Sequence, residues 1–140
     1  MDSWLAQARR GVVELCVLQL IGQRPRYGYQ LVTKLAAWEP LATTEGTLYP
    51  LLRRLQREGS ISAFWEESQD GPPRKYYQLT DAGVRLLESQ LAEWQRLTQA
   101  VTTLRTETNE DEEVPDGSGS RREPTLSLRA ARKPEPAARS

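Results

Sequence analysis

The segment from Thr44 to Gly59, TEGTLYPLLRRLQREG, constrains the fold more than any other stretch of the chain, because it reads as an amphipathic helix with chemically opposed faces. Leu48, Leu51, Leu52 and Leu55 follow the i, i+3, i+4, i+7 rule and line one side. At about 100° per residue, Gly46, Pro50, Arg53 and Arg57 fall on the other side, flanked by Tyr49 and Arg54. One face suits a core. The other carries three guanidiniums, a phenol and a close-approach glycine, the surface needed to lie in a DNA major groove. Taken alone, the pattern favours a core helix whose polar face is merely solvated. The flanking sequence reverses that reading.

After the helix come Ser60–Glu67 (SISAFWEE), rich in β-formers, a turn at Ser68–Pro73 (SQDGPP), and a return strand at Arg74–Leu79 (RKYYQL). Tyrosines of the return strand can pair across to Phe64 and Trp65. Arg74 and Lys75 place cations near the hairpin tip, where a wing would clasp DNA backbone. Before the basic helix, Tyr27–Trp38 (YGYQLVTKLAAW) carries Leu31, Leu35 and Trp38 on one stripe and is stopped by Pro40. Thr43 and Thr44 offer N-cap oxygens. Gly59 fits the left-handed residue that ends a helix. Pro50 cannot donate to the Gly46 carbonyl, so the first turn is loose or the helix starts nearer Thr47. The expected fold is α+β and mostly helical, a winged helix-turn-helix.

These motifs, RYGYQL, TEGTLYPLLRRLQREG, a Trp-Glu-Glu strand and RKYYQLTDAG, in that order, resemble the PadR family of bacterial transcriptional regulators. The upstream run RRGVVELCVLQLI is similar to that family's first helix. The resemblance extends roughly from Ala8 to Leu97. It implies a homodimeric repressor with a C-terminal dimerisation helix, and in some members a ligand pocket between subunits.

Charge and composition bound the alternatives. Lys plus Arg and Asp plus Glu are both 19, so net charge does not advertise nucleic-acid binding and only the placement of charge can. Arg53 to Arg57 holds three arginines and no acid, whereas Glu107 to Asp116 holds six acids and no cation. There is no histidine, and Cys16 is the single cysteine. That removes Ser-His-Asp and Cys-His catalysis and an ordinary Cys/His zinc site, so no enzyme, metal or cofactor is expected. Cys16 sits in the apolar run Val12–Ile21 and reads as a buried thiol. No secretory signal or membrane span is visible, and a cytoplasmic location is expected.

Ser3–Ile21 reads as a first helix capped by Ser3, facing Val13, Val17, Leu20 and Ile21 to the core and closed by Gly22 and Pro25. Thr80 caps a long last helix, roughly Asp81–Thr106. Its stripe of Leu87, Leu91, Trp94, Leu97, Val101 and Leu104 exceeds what one small domain can cover, and a second copy of the chain is the simplest partner. From Glu107 onward the chain lacks aromatics and reads as disordered. The expected division is a winged DNA-binding domain (1–79), a dimerisation helix (80–106) and a tail (107–140).

The residues expected at DNA are Tyr27, Thr47, Tyr49, Arg53, Arg54, Arg74 and Lys75. Arg53, at the centre of the exposed face, suits a bidentate contact to guanine. Tyr49 and Tyr27 suit phosphate contacts, Tyr49 having a competing role as a plug at the core edge. Gly28 and Gly83 read as packing glycines. The expected dimer interface is Leu87, Leu91, Trp94, Leu97 and Val101. The resemblance implies a small aromatic effector stacked on Trp94, with Trp4 beside or over it; Trp94 as simple interface packing is the competing reading. Two rivals stand beside a ligand-controlled regulator: a winged domain used only for protein interaction, and a DNA-binding protein without an effector.

Overall fold

The computed structural model describes residues 3–107. Its elements are α1 (Trp4–Gln23), β1 (Arg26–Tyr27), α2 (Gly28–Ala36), a 3-10 turn (Glu39–Leu41), α3 (Glu45–Arg57), β2 (Ile61–Ser68), β3 (Gly71–Leu79) and α4 (Asp81–Glu107). The fold is winged helix-turn-helix: a helical layer packed on a three-stranded antiparallel sheet of order β1-β3-β2.

α1 starts at the expected cap, the Ser3 hydroxyl accepting from the Ala6 N–H at 3.0 Å. Val13, Val17 and Ile21 are buried as expected, and Leu18 is fully buried beside them. Gly22 does not stop this helix. A Cβ there would meet Leu79 and Leu87 methyls at 3.2 Å, so the glycine marks a close approach of α1 to β3 and α4.

α2 is shorter than the sequence predicts. Tyr27 belongs to β1 and caps the helix rather than starting it. At the other end Trp38 is extended (φ −119°, ψ 97°) and 67% exposed, so it leaves the Leu31–Leu35 core stripe on which it was expected. Pro40 lies in the 3-10 turn Glu39–Leu41, for which the extended Trp38 is the N-cap.

α3 runs through Pro50 from Glu45, without the later start near Thr47. Of the two expected cap oxygens, Thr44 is used, accepting from the Thr47 N–H at 3.2 Å. Gly46, whose carbonyl Pro50 cannot serve, is exposed. Leu48, Leu52 and Leu55 are buried to 1% exposure or less, and Leu51 packs against the same core. The helix ends as predicted on Gly59 (φ +83°), with Ser60 N–H donating to the Leu55 carbonyl at 2.9 Å and Gly59 N–H to Gln56 at 3.1 Å.

The wing differs in its boundaries. β3 begins at Gly71, not Arg74, and the connection is only Gln69–Asp70. The register shifts between Glu66 and Ser68, opposite Pro72 and Pro73. These prolines are tolerated because β1 reaches only Tyr76 and Tyr77, leaving β3 with one partner strand near the tip. α4 is capped by Thr80, whose hydroxyl accepts from the Gly83 N–H at 3.0 Å. It ends at Glu107, so the first residue assigned to the tail is helical. The rest of that expected disordered segment lies outside the described residues. Packing divides the chain into a unit Met1–Leu91 and a second from Ala92 on, the boundary falling within α4.

Candidate nucleic-acid interface

Burial of Leu48, Leu52 and Leu55 fixes which side of α3 faces outward. That side presents Gly46, Thr47 and Pro50 toward the N-terminus, then Arg53 and, one turn on, Arg57, all exposed. The first half is low in relief, so backbone can come close to another surface. The second half carries two guanidinium forks. Among the described residues neither Arg53 nor Arg57 forms a salt bridge. A fork held at the centre of an exposed helix face can donate two parallel hydrogen bonds to guanine O6 and N7, or to a phosphate.

Arg54, expected beside them, is occupied inside the domain. Its Nη2 donates to Glu14 of α1 at 2.6 Å, and its Nη1 to Glu58 at 3.1 Å. Burial pushes the Glu14 carboxyl up, but hydrogen bonds from Arg54 and Gln90 outweigh it and hold the group below the ordinary glutamate value. The Glu14 hydrogen bond likewise raises the Arg54 guanidinium. Glu58 also qualifies the acid-free surface read from the sequence, since it lies one turn beyond Arg54.

Tyr49 is half-buried and packs against the core. A Cβ on Gly28 would stand 2.5 Å from its Cε1 and 2.7 Å from its hydroxyl, so Gly28 is the packing glycine that admits the ring between α2 and α3. Burial, then Glu45, raises the phenol's pKa and keeps it protonated. Thr47 is exposed, its hydroxyl accepting from the Thr44 hydroxyl at 3.3 Å.

Tyr27, Tyr76 and Phe64 form an aromatic row across the three strands. Tyr27 and Tyr76 meet edge-on at 5.2 Å, while Phe64 stacks on Tyr76 at 5.7 Å. Trp65 does not join it: Trp65 lies opposite Lys75 in the register and is 66% exposed. Nor do the cations sit at the tip. Arg74 is opposite Glu66 and its guanidinium lies 4.7 Å over the Tyr27 ring, while Lys75 lies 5.8 Å from the centre of Tyr77. The tip itself carries Glu67 and Asp70. Because β3 starts three residues earlier than expected, the cations move down to the body of the sheet, next to β1.

On α4, Leu87 is partly buried against its own domain core, which removes it from the outward stripe. Leu91 (38%), Trp94 (40%), Leu97 (58%) and Val101 (58%) are exposed at helical spacing. Trp4, at the start of α1, is 76% exposed.

Three residues escaped the sequence reading. Glu14 and Gln90 bind across helices, and nothing local marks either one apart from an acid inside the apolar run of α1. Arg26 looks like a surface cation but is 5% exposed, its Nε donating to the Leu20 carbonyl at 2.9 Å and Nη2 to Gln23 at 2.8 Å. Among the described residues no cluster of three metal-ligating side chains occurs, and no helix is long and apolar enough to cross a membrane.

Residues 17–89 match the model of the transcriptional regulator PadR-like family. An uncharacterized protein from Lysinibacillus sphaericus is 30% identical over 94 residues, 66% of this chain and 86% of that protein. Among solved structures, a PadR-like transcriptional regulator from Bacillus cereus is 41% identical, with a TM-score of 0.65 over 70% of this chain and 95% of that one. A PadR family transcriptional regulator from Eggerthella lenta is 39% identical, with a TM-score of 0.65 over 74% of this chain and 89% of that one.

Proposed function

The chain belongs to the PadR-like family of transcriptional regulators, and from that premise we propose that it is a homodimeric repressor that reads a specific duplex site with α3. The family is one of DNA-binding regulators, not of enzymes. The observation that carries the proposal is the outward face of α3, where among the described residues Arg53 and Arg57 form no salt bridge while Arg54 beside them is tied up by two carboxylates. Arg53 takes the base-reading role, Arg57 and Thr47 the adjoining edges and phosphates. Arg74, Lys75 and Tyr27 meet the backbone beside the groove from the lower part of the wing. Tyr49 and Arg54 act as supports of α3.

In this reading residues 1–79 bind DNA and 80–106 make the dimer through Leu91, Trp94, Leu97 and Val101. Two symmetric copies would cover an apolar row that one chain leaves exposed. Trp94, 40% exposed in that row, gives a flat aromatic effector a surface to stack on; saturable quenching of tryptophan emission, absent in Trp94→Ala, supports that part. Trp4 is assigned the lesser role of flanking the ligand.

The test is a mobility-shift assay of purified protein on the DNA upstream of its own gene, against random duplex, at stated salt. A preferential shift, with light scattering giving about twice the 15.9 kDa chain mass, supports the proposal. A monomer that binds both DNAs equally refutes it.

A further inference from the structure

We propose that Glu14 is a positioning residue that sets the pose of α3 on α4, and that Arg54 serves this clasp instead of touching DNA. The inference rests on the DNA-binding reading for its consequence, but not for its geometry. The Glu14 carboxylate spends one oxygen on each of two helices. Oε1 accepts from Arg54 Nη2 on α3 at 2.6 Å, and Oε2 accepts from Gln90 Nε2 on α4 at 2.8 Å. The Glu14 side chain is only 23% exposed, so water competes weakly for it. Arg54 Nη1 is turned the other way, onto Glu58 at 3.1 Å, which leaves the guanidinium pinned at both ends.

A second attachment joins the same helices. The residue that follows α3's terminal glycine, Ser60, offers its carbonyl to the Thr80 N–H at 3.1 Å. The single Thr80 hydroxyl proton is shared between the Gly59 carbonyl at 2.6 Å and the Ser60 carbonyl at 3.1 Å. Gly83, one turn into α4, has no side chain because the Ser60 carbonyl oxygen fills that space.

One attachment would leave α3 able to swivel about it. Two do not. On α4 the anchor points Thr80 and Gln90 are separated by roughly 15 Å of helix rise. On α3 they are Arg54 and the Gly59–Ser60 end. All of these residues lie within the unit Met1–Leu91. The direction of α3 is thereby referenced to the first turns of α4, the helix that carries the exposed apolar stripe. A shift of the first turns of α4, between Thr80 and Gln90, would be handed to α3 through these two attachments. Specific recognition needs that pose, because base edges must meet Arg53 at hydrogen-bond distance. Non-specific binding does not, because phosphates tolerate displacement.

The experiment uses the full chain with Glu14→Ala, Glu14→Gln, Arg54→Ala and Gln90→Ala, each checked for folding by circular dichroism. Gln90→Ala is the decisive variant, since it trims one partially exposed side chain of α4 and leaves every residue of α3 unaltered. Amide hydrogen exchange across residues 48–57 is measured first and requires no DNA. Faster exchange there in Gln90→Ala than in wild type supports the clasp; unchanged α3 exchange overturns it. DNA binding is then measured on the upstream duplex and on random duplex. The expected result is a loss of about tenfold in specific affinity for Glu14→Ala and for Arg54→Ala, the scale of one ordered charge-assisted hydrogen bond. Non-specific affinity and salt slope stay at the wild-type value, a double variant combining Glu14→Ala with Arg54→Ala is no worse than either single one, and Glu14→Gln falls between. If Arg54→Ala weakens both DNAs and lowers the salt slope by about one unit, while Glu14→Ala tightens binding, then Arg54 is a phosphate contact and the proposal is wrong. If wild type discriminates no duplex, the DNA reading fails on that measurement alone, and the exchange result still decides the clasp.

Discussion

Gly83→Ala is the sharpest test of how α4 is seated. Gly83 is the third residue of α4 and is buried. An added methyl would overlap the Ser60 carbonyl oxygen and stand 3.0 Å from the Ser60 carbonyl carbon and 3.2 Å from a Leu79 methyl. The oxygen cannot retreat cheaply, because it accepts from the Thr80 N–H at 3.1 Å and shares the single Thr80 hydroxyl proton with the Gly59 carbonyl. Overpacking of this kind costs about 1–3 kcal/mol, and loosening one of those bonds adds about 0.5–1.5 kcal/mol. Alanine's better helix propensity returns about 1 kcal/mol at most. The balance is a destabilisation of about 2 kcal/mol, which for a domain of this size lowers Tm by roughly 10 °C. Gly11→Ala is the matched control. Gly11 lies inside α1 with nothing within 4 Å of an added Cβ, so the same substitution gains about 0.8–1 kcal/mol and raises Tm by a few degrees. Thermal melts by circular dichroism at equal chain concentration measure both, since melting of an associating chain depends on concentration. Opposite signs are required. If Gly83→Ala melts at or above wild type, α4 is not held against Ser60, and the positioning of α3 argued above loses one of its two anchors.

Arg53→Ala is expected to weaken specific binding by about 1–3 kcal/mol with little change on random duplex. Lys75→Ala should weaken both alike and lower the salt slope by about one unit; equal profiles for the two variants refute the division between base reader and backbone contact. Leu97→Asp places a charge on the most exposed half of the α4 stripe and should convert a dimer into a folded monomer by light scattering, whereas Leu87→Asp, aimed at the chain's own core, should unfold it; a dimeric Leu97→Asp refutes the interface. Glu14 is held below the ordinary glutamate value, so its contribution to stability is complete above about pH 4.3 and is lost as pH falls through the lower folded value. The stability gap between wild type and Glu14→Gln should therefore close on acidification, and a gap that widens below pH 4 would contradict the arrangement of Arg54 and Gln90 around it.

The lower part of the sheet changes how the wing is read. With Glu67 and Asp70 at the tip and Arg74 and Lys75 drawn back over Tyr27 and Tyr77, a phosphate is repelled at the end of the hairpin and attracted near its base. Under the proposed DNA-binding reading, the wing would meet DNA along its flank, close to the N-terminus of α2, instead of reaching with its tip.

Much of this molecule is decided by interactions that span four residues or fewer, and those are legible in the sequence. The Ser3 and Thr44 caps, the two faces of α3 and the left-handed Gly59 depend on local backbone geometry and helical period, so each appears where the residues say. The family resemblance rests on the same local motifs. Partner choice is different. Arg54 faces the same way by periodicity whether it meets DNA or Glu14, and only the packing of α1 on α3 brings a carboxylate 40 positions away to 2.6 Å. Leu87 and Leu91 read as one stripe, yet the core ends between them. Trp38 reads as core, but the turn before Pro40 carries it out to solvent. Arg26 reads as a surface cation and is buried, because the carbonyl of Leu20 and the amide of Gln23 wait for it at the end of α1. Periodicity and capping state which atoms a segment offers; the tertiary fold alone decides which of those offers are taken up within the chain and which are left for a partner.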